Sequence, residues 1–328
     1  MPGFAVAAGR LRRQPPQAIP PEVTRGYPLA RLTTVRTGGP AQFFARPGDV
    51  QTLQRLLSWA AQCGLEVGVL GSGSNLLVAD CGVPGLVMKL DADLTTIELD
   101  GIAALNLRCG GGARLPAVAA AAARAALSGI EFGVNIPGTV GGAVRMNANA
   151  YGGALADVLE WVEVVSASGV QSRTPDQLGF GYRKSNLLAG EVVSRASFRL
   201  TAAEQQDVKA RLAELRMRRK QAQPSGIRTF GSTFKNPDGP GAQGRSAGQL
   251  LDAAGCRGLT VGGVSFSTKH ANFVENRGEG TTTEVIELME AGRQRVIEKF
   301  GVVLEPEVQL MGPVDTPWKR TAENMELQ

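Results

Sequence analysis

Histidine is nearly absent from this chain: His270 is the only one in 328 residues. A metal site built on several imidazoles is therefore excluded, and a Ser-His-Asp nucleophile system would have a single position to draw on. Cysteine is scarce as well. Cys63, Cys81, Cys109 and Cys256 contain no Cys-x-x-Cys pair, which argues against a zinc site or a redox dithiol and for reduced, mostly buried thiols. Long apolar runs are missing, and no stretch approaches the roughly 20 apolar residues that span a bilayer. The apolar piece Phe4 to Ala8 is too short for a signal-peptide core, and its charges, Arg12 and Arg13, follow it. The expectation is a cytoplasmic protein with no membrane partner. No internal repeat is present.

What is there is glycine, 42 residues of it, gathered in short runs that signal tight turns or backbone lying close to a ligand. Hydrophobic residues at 43% and charged residues at 20% fit a globular protein, and the length calls for two or three domains. The net charge of +5 suits anionic ligands but is too mild to imply nucleic acid. The most basic stretch, Lys209 to Lys220, reads as a solvated helix face, or as a helix with an arginine or two on a substrate phosphate. No stacking aromatics are interleaved with its charges, so a nucleic-acid partner is not expected.

Asp49 caps an expected helix reaching Cys63, with Gly64 as its stop. Short strands follow at Val67 to Leu70, Leu76 to Val78, Val87 to Leu90, Thr95 to Leu99 and Ala104 to Arg108. An alanine-rich helix starts at Pro116, and strands are expected at Trp161 to Ser166 and Val192 to Leu200. A polar helix from Ala202 to Gln221 is expected to join two domains. The C-terminal third holds a short helix near Gln249 to Ala254, a strand through Ala271 to Val274, an amphipathic helix from Thr282 to Phe300, and a strand from Val302 to Leu310. Without a regular βαβ rhythm, the fold class is α+β, not a doubly wound sheet.

Three segments carry chemistry. In Val69-Leu70-Gly71-Ser72-Gly73-Ser74-Asn75-Leu76, glycines let amides form an anion nest, and Ser72, Ser74 and Asn75 add side-chain hydrogen bonds. Apolar strand residues follow the loop, not a helix, so it is no Rossmann fingerprint; read alone, it is equally a glycine hairpin. In Ile136-Pro137-Gly138-Thr139-Val140-Gly141-Gly142-Ala143, glycines around Thr139 again permit close approach to a pyrophosphate. Two such loops suggest a dinucleotide held between subdomains. The third segment, Gly231-Ser232-Thr233-Phe234-Lys235-Asn236-Pro237, sets a serine near a cation and an amide, as an anionic substrate requires; turn or cap serines look alike.

Together and in this order, the three segments resemble the UDP-N-acetylenolpyruvoylglucosamine reductase (MurB) family. The resemblance extends over about residues 27 to 312. It includes Thr33-Thr34-Val35-Arg36-Thr37-Gly38-Gly39-Pro40, Tyr182-Arg183-Lys184-Ser185, Lys269-His270-Ala271-Asn272-Phe273 and Leu304-Glu305-Pro306-Glu307. The family's fold implies two FAD-binding subdomains of vanillyl-alcohol-oxidase (PCMH) type, at 27–90 and 91–203, and a C-terminal α+β substrate domain at 204–312. It leaves residues 1–26 as a disordered extension and 313–328 as a tail. The implied activity is NADPH-driven, FAD-dependent reduction of an enolpyruvyl UDP-sugar in peptidoglycan synthesis, by a monomer.

The resemblance also assigns residues. Arg36, Gly71, Ser72, Gly73, Ser74, Asn75, Leu76, Pro137, Gly138, Thr139, Gly141, Gly142, Asn147 and Tyr151 are expected around FAD. Ser232 is the implied proton donor, with Lys235 as its neighbouring aid, and Arg183 and Glu307 are the implied cation and its acid partner. Tyr182, Lys235, Asn236 and His270 are expected on the substrate side. No metal is expected. Two departures stand out. Asn149 replaces a glycine common in the family, in a turn where asparagine's tolerance of positive φ would keep the geometry. The short stretch between Ser185 and Val192 leaves no room for the tyrosine-bearing substrate loop, which points to the subgroup lacking it. The lack of N-terminal histidines rules out a histidyl flavin link there. Two other readings stand beside this one: a flavin oxidase of the same scaffold acting on an alcohol, and a non-enzymatic basic binding module.

Overall fold

The computed structural model describes residues 18–100 and 105–318. Most of the expected N-terminal extension and the last part of the tail lie outside them. Residues 18–26, expected to be disordered, are not: Ile19 and Val23 pack on a core, and strand β1 (Thr24–Pro28) opens the first sheet. That sheet continues with β2 (Pro40–Ala45), β3 (Val67–Val69), β4 (Leu76–Val78, which pairs elsewhere) and β5 (Val83–Met88). Its order is β1-β2-β5-β3, with β1 antiparallel to β2 and the other pairs parallel. Helix α1 (Val50–Gln62) starts at Asp49, whose side chain accepts from the Thr52 amide. It buries Leu53, Leu56, Leu57, Trp59 and Ala60.

The second sheet is antiparallel throughout: β6 (Ile97–Asp100), β7 (Asn106–Gly110), β8 (Leu159–Ser166), β9 (Gly169–Arg173) and β10 (Val192–Arg199), in the order β9-β8-β10-β7-β6. Its buried face carries Leu107, Val162, Val164, Ala196 and Phe198 against α2 (Leu115–Arg124) and the short α3 (Val140–Arg145). Helix α4 (Gln205–Ala222) is not a free connector. Val208, Leu212 and Leu215 bury against Ala119 and Ala123 of α2 and against Val134, which fastens the helix to this subdomain.

The C-terminal part packs α5 (Ala247–Ala253) and α6 (Thr282–Phe300) on a small sheet of β11 (Thr260–Val261), β12 (Val264–Phe266) and β13 (Val274–Asn276). The expected strand from Val302 is shorter: β14 (Gln309–Met311) forms, and ahead of it the chain makes an isolated antiparallel bridge between Pro306 and Phe234. β14 runs parallel to β4, so the chain's end completes the first subdomain. Val35 and Leu77 of that subdomain belong to the C-terminal core. Thr282 Oγ1 donates to the Val78 carbonyl at 2.7 Å and Asn276 Nδ2 to the Val35 carbonyl at 2.8 Å. No helix among the described residues is long and apolar enough to cross a membrane.

Candidate active site

The three parts meet around one cavity of about 570 Å³. One wall is the loop between β3 and β4, Gly71 to Asn75; opposite it stands the turn into α3, Ile136 to Gly142. Ser72 ties the two together by donating to the Pro137 carbonyl, and its hydroxyl lies 3.2 Å from that of Ser74. Among the described residues, no acceptor meets the amides of Ser72, Gly73 and Ser74. Consecutive unpaired amides are the makings of an anion nest.

The third wall carries the side chains expected to be catalytic. Ser232, Arg183 and Glu307 all line the same cavity. Arg183 Nε donates to Glu307 Oε1 at 2.6 Å, and both side chains are largely buried, at 18% and 13% exposure. Arg183 Nη1 is buried without a partner among the described residues. It is an arginine at φ 55°, an uncommon conformation that the surrounding fold must hold. Glu307 is held by its main chain: its amide donates to the Thr233 carbonyl at 2.9 Å, and its carbonyl accepts from Asn75 Nδ2 at 3.2 Å. A protein cation and a hydroxyl lining one chamber suit a carboxylate substrate that must receive a proton.

Several expected contacts fall elsewhere. Lys235 does not line the cavity; its ammonium pairs with Glu305 at 3.2 Å. Asn236 Oδ1 accepts from the Ala247 amide at the start of α5. Tyr182 is 49% exposed and lies under the Arg183 guanidinium, 5.1 Å from it. Arg36 donates to the Arg31 carbonyl, and Asn147 donates to the Gly181 carbonyl at 3.2 Å; neither lines the cavity. Asn149 sits in a short strand, and positive φ falls instead on Asn147, Tyr151 and Gly152. Of the implied FAD residues, Gly71 to Leu76, Pro137, Gly138, Thr139, Gly142 and Tyr151 do line it.

His270 packs edge-on against Phe273, 4.9 Å between ring centroids, and Phe273 lines the cavity where His270 does not. Burial holds the imidazole pKa below its ordinary value, with Arg257 adding to the effect. The folded state therefore binds the proton less readily than the unfolded chain. Stability is full above the ordinary histidine range and falls as pH drops through it toward the folded-state value. Thermal unfolding followed from pH 8 to pH 5 should show His270→Gln losing less stability on acidification than the parent; equal losses would refute the assignment.

Some site residues carried no motif. A smaller cavity of about 80 Å³ adjoins the first at Gly71, Thr139 and Gly142, and is lined by Gly111, Gly112, Gly141, Lys89 and Arg145. Burial lowers the pKa of Lys89 and of Arg145, because the charged form loses solvation there. Arg218 and Arg219 of α4 both line the large cavity, and Arg219 donates to the Asn135 carbonyl, so two arginines of the basic helix face it. The only sequence signal for the Gly111 wall was the run Gly110 to Gly112.

The FAD implied by the resemblance fits these walls. A Cβ on Gly138 or Gly142 would meet no protein atom closer than 3.5 Å, so both leave room beside the loop amides for a phosphate. Gly73 and Gly141 are different. At φ +66°, a Cβ on Gly73 would lie 2.2 Å from the Leu32 carbonyl, and one on Gly141 3.2 Å from that of Gly111. Gly142→Val is therefore expected to give folded, colourless protein, and Gly73→Val misfolded protein. Flavin absorbance and circular dichroism check both; a yellow Gly142→Val would contradict this placement.

Comparison with known proteins agrees with the geometry. Residues 41–174 match the FAD binding domain family model, and residues 223–311 match that of the UDP-N-acetylenolpyruvoylglucosamine reductase C-terminal domain. The chain is similar to the UDP-N-acetylenolpyruvoylglucosamine reductase of Agathobacter rectalis, 43% identical over 87% of this chain and 92% of that one. Rhizorhabdus wittichii has one 44% identical over 90% of this chain and 96% of its own. Among solved structures, the reductase (MurB) of Thermus caldophilus matches with a TM-score of 0.75 and 38% identity, over 88% of this chain and 98% of that one.

Proposed function

The chain belongs to the UDP-N-acetylenolpyruvoylglucosamine reductase family, and on that footing we propose that Ser232, Arg183 and Glu307 carry the reduction of an enolpyruvyl UDP-sugar to UDP-N-acetylmuramate. The enzyme is an FAD-dependent oxidoreductase of peptidoglycan synthesis. FAD, when bound, would supply the hydride for the substrate, with NADPH as the source. The glycine loops around Ser72 and Thr139, within residues 27–90 and 91–203, would hold its pyrophosphate, and the part of 204–312 between α4 and β14 would face the substrate, since α4 is fastened to the second subdomain and β14 to the first.

The substrate is an enol ether conjugated to a carboxylate. Hydride arriving at its terminal carbon drives negative charge onto that carboxylate. Arg183 meets the charge with its guanidinium, while Nε stays on Glu307, which fixes the plane of that group. A preorganised donor of this kind contributes about 3–4 kcal/mol to the transition state. Ser232 Oγ then gives its proton to the carbon next to the carboxylate, completing the saturated lactyl ether. The observation that carries this reading is the convergence of Ser232, the Arg183–Glu307 pair and both glycine loops on one cavity. An alcohol oxidase on the same scaffold has no need of a carboxylate-binding cation there. The same reading puts the chain in the cytoplasm, acting as a monomer on a UDP-sugar. The experiment is anaerobic: NADPH should bleach the flavin absorbance, and UDP-N-acetylenolpyruvoylglucosamine should restore it. Failure of the second step refutes the function.

A further inference from the structure

Ser232 sits at the start of an extended segment with no sheet of its own. Residues Ser232 to Lys235 are gripped from both sides. On one side the Thr233 carbonyl accepts from the Glu307 amide at 2.9 Å, and the Lys235 amide donates to the Glu305 carbonyl at 2.9 Å. On the other side the grip comes almost wholly from one residue, Asn272. Its carbonyl accepts from the Thr233 amide at 2.8 Å, its Oδ1 accepts from the Phe234 amide at 2.9 Å, and its Nδ2 donates to the Phe234 carbonyl at 2.9 Å. Asn272 is 4% exposed and does not line the cavity, although Ser232 and Phe273 on either side of this clamp do.

We infer that Asn272 is a positioning residue for the proton donor: its carboxamide stands in for a strand partner and sets where Ser232 Oγ lies relative to Arg183 and Glu307. The chemistry of the side chain is specific. Main chain turns at His270 to Phe273, where the Phe273 amide bonds back to the His270 carbonyl, so no neighbouring strand can offer both a donor and an acceptor to Phe234. A carboxamide presents the two side by side. Aspartate has nearly the same shape but, when ionised, is acceptor-only; it would set a carboxylate oxygen against the Phe234 carbonyl. Because the same segment is bonded to Glu307, loosening it moves the proton donor relative to the Arg183–Glu307 pair, and a misplacement of about 1 Å costs on the order of 10²-fold in rate.

The inference rests on the proposed reaction and is tested in its two half-reactions on flavin-loaded protein. Asn272→Asp should leave bleaching by NADPH within about twofold of the parent and slow the return of absorbance with UDP-N-acetylenolpyruvoylglucosamine by about 10²-fold. In a Ser232→Ala background the same change should add nothing further, because there is no donor left to misplace. Equal slowing of both half-reactions, or effects that multiply in the double variant, would overturn the inference. If Asn272→Asp loses its flavin, Asn272→Ser takes its place, keeping an acceptor for the Phe234 amide; should neither variant hold flavin, Asn272 serves the fold alone and the inference fails. The parent protein run alongside separates the cases: if it too is not reoxidised by the substrate, the fault lies in the proposed function.

Discussion

Ser232→Ala is expected to leave flavin bleaching by NADPH nearly intact and to slow its recovery with the enolpyruvyl substrate by about 10²–10⁴-fold, the usual loss for a general acid. Only the second half-reaction needs a proton at a substrate carbon. Ser232 lies outside both glycine loops, so the flavin content of the variant should equal that of the parent. Serine is a weak acid, and the alkoxide it leaves must be stabilised locally. Lys235 is not the source, since Glu305 engages its ammonium. Ser232→Cys should recover part of the rate, a thiol being the stronger acid. Stopped-flow traces of the two half-reactions decide the matter: recovery in Ser232→Ala as fast as in the parent would mean that another group gives the proton.

Arg183→Ala is expected to slow the same half-reaction by about 10²–10³-fold, the loss of one preorganised donor to developing charge. Arg183→Lys should be nearly as impaired. One ammonium cannot reproduce the planar group that reaches Glu307 with Nε and still lines the cavity. Glu307→Ala should also destabilise the protein, since it strands a mostly buried guanidinium, and breaking such a pair costs about 3–5 kcal/mol. Arg183→Ala combined with Glu307→Ala should be less destabilised than Glu307→Ala alone, because no unpaired charge remains. Thermal denaturation of the three variants tests this; strictly additive losses would show that the pair is not coupled.

The motif side chains were legible in the sequence because each is tied to a glycine loop or a short polar signature. Ser232, Arg183 and Glu307 were expected and do face one cavity. Lys235 was misjudged because nearness along an extended chain is not nearness in space: three residues on, a side chain leaves the opposite face. Arg36 and Asn147 were spent on main-chain carbonyls, a use that composition does not reveal. Lys89 and Arg145 gave no signal, because an isolated cation is brought to a cavity wall only by the packing that buries it, whereas Arg219 belongs to the basic stretch already marked for a phosphate. Helix limits were better read than strand limits. Asp49 and Gly301 mark helix ends by their own chemistry, whereas strands such as β13 and β14 end where a partner ends.

The pairing of β14 with β4 sets a constraint on how the protein is made. Residues 76–78, which lead out of the first glycine loop, find their ladder partner only at 309–311. While the ribosome is still adding the C-terminal third, that edge stands open and Val35 and Leu77 lack the core that covers them. Contacts so distant in sequence close slowly, and open edges in the meantime invite aggregation. Flavin uptake should therefore follow release of the finished chain, and a nascent chain arrested before residue 309 should expose the loop without being able to hold the cofactor.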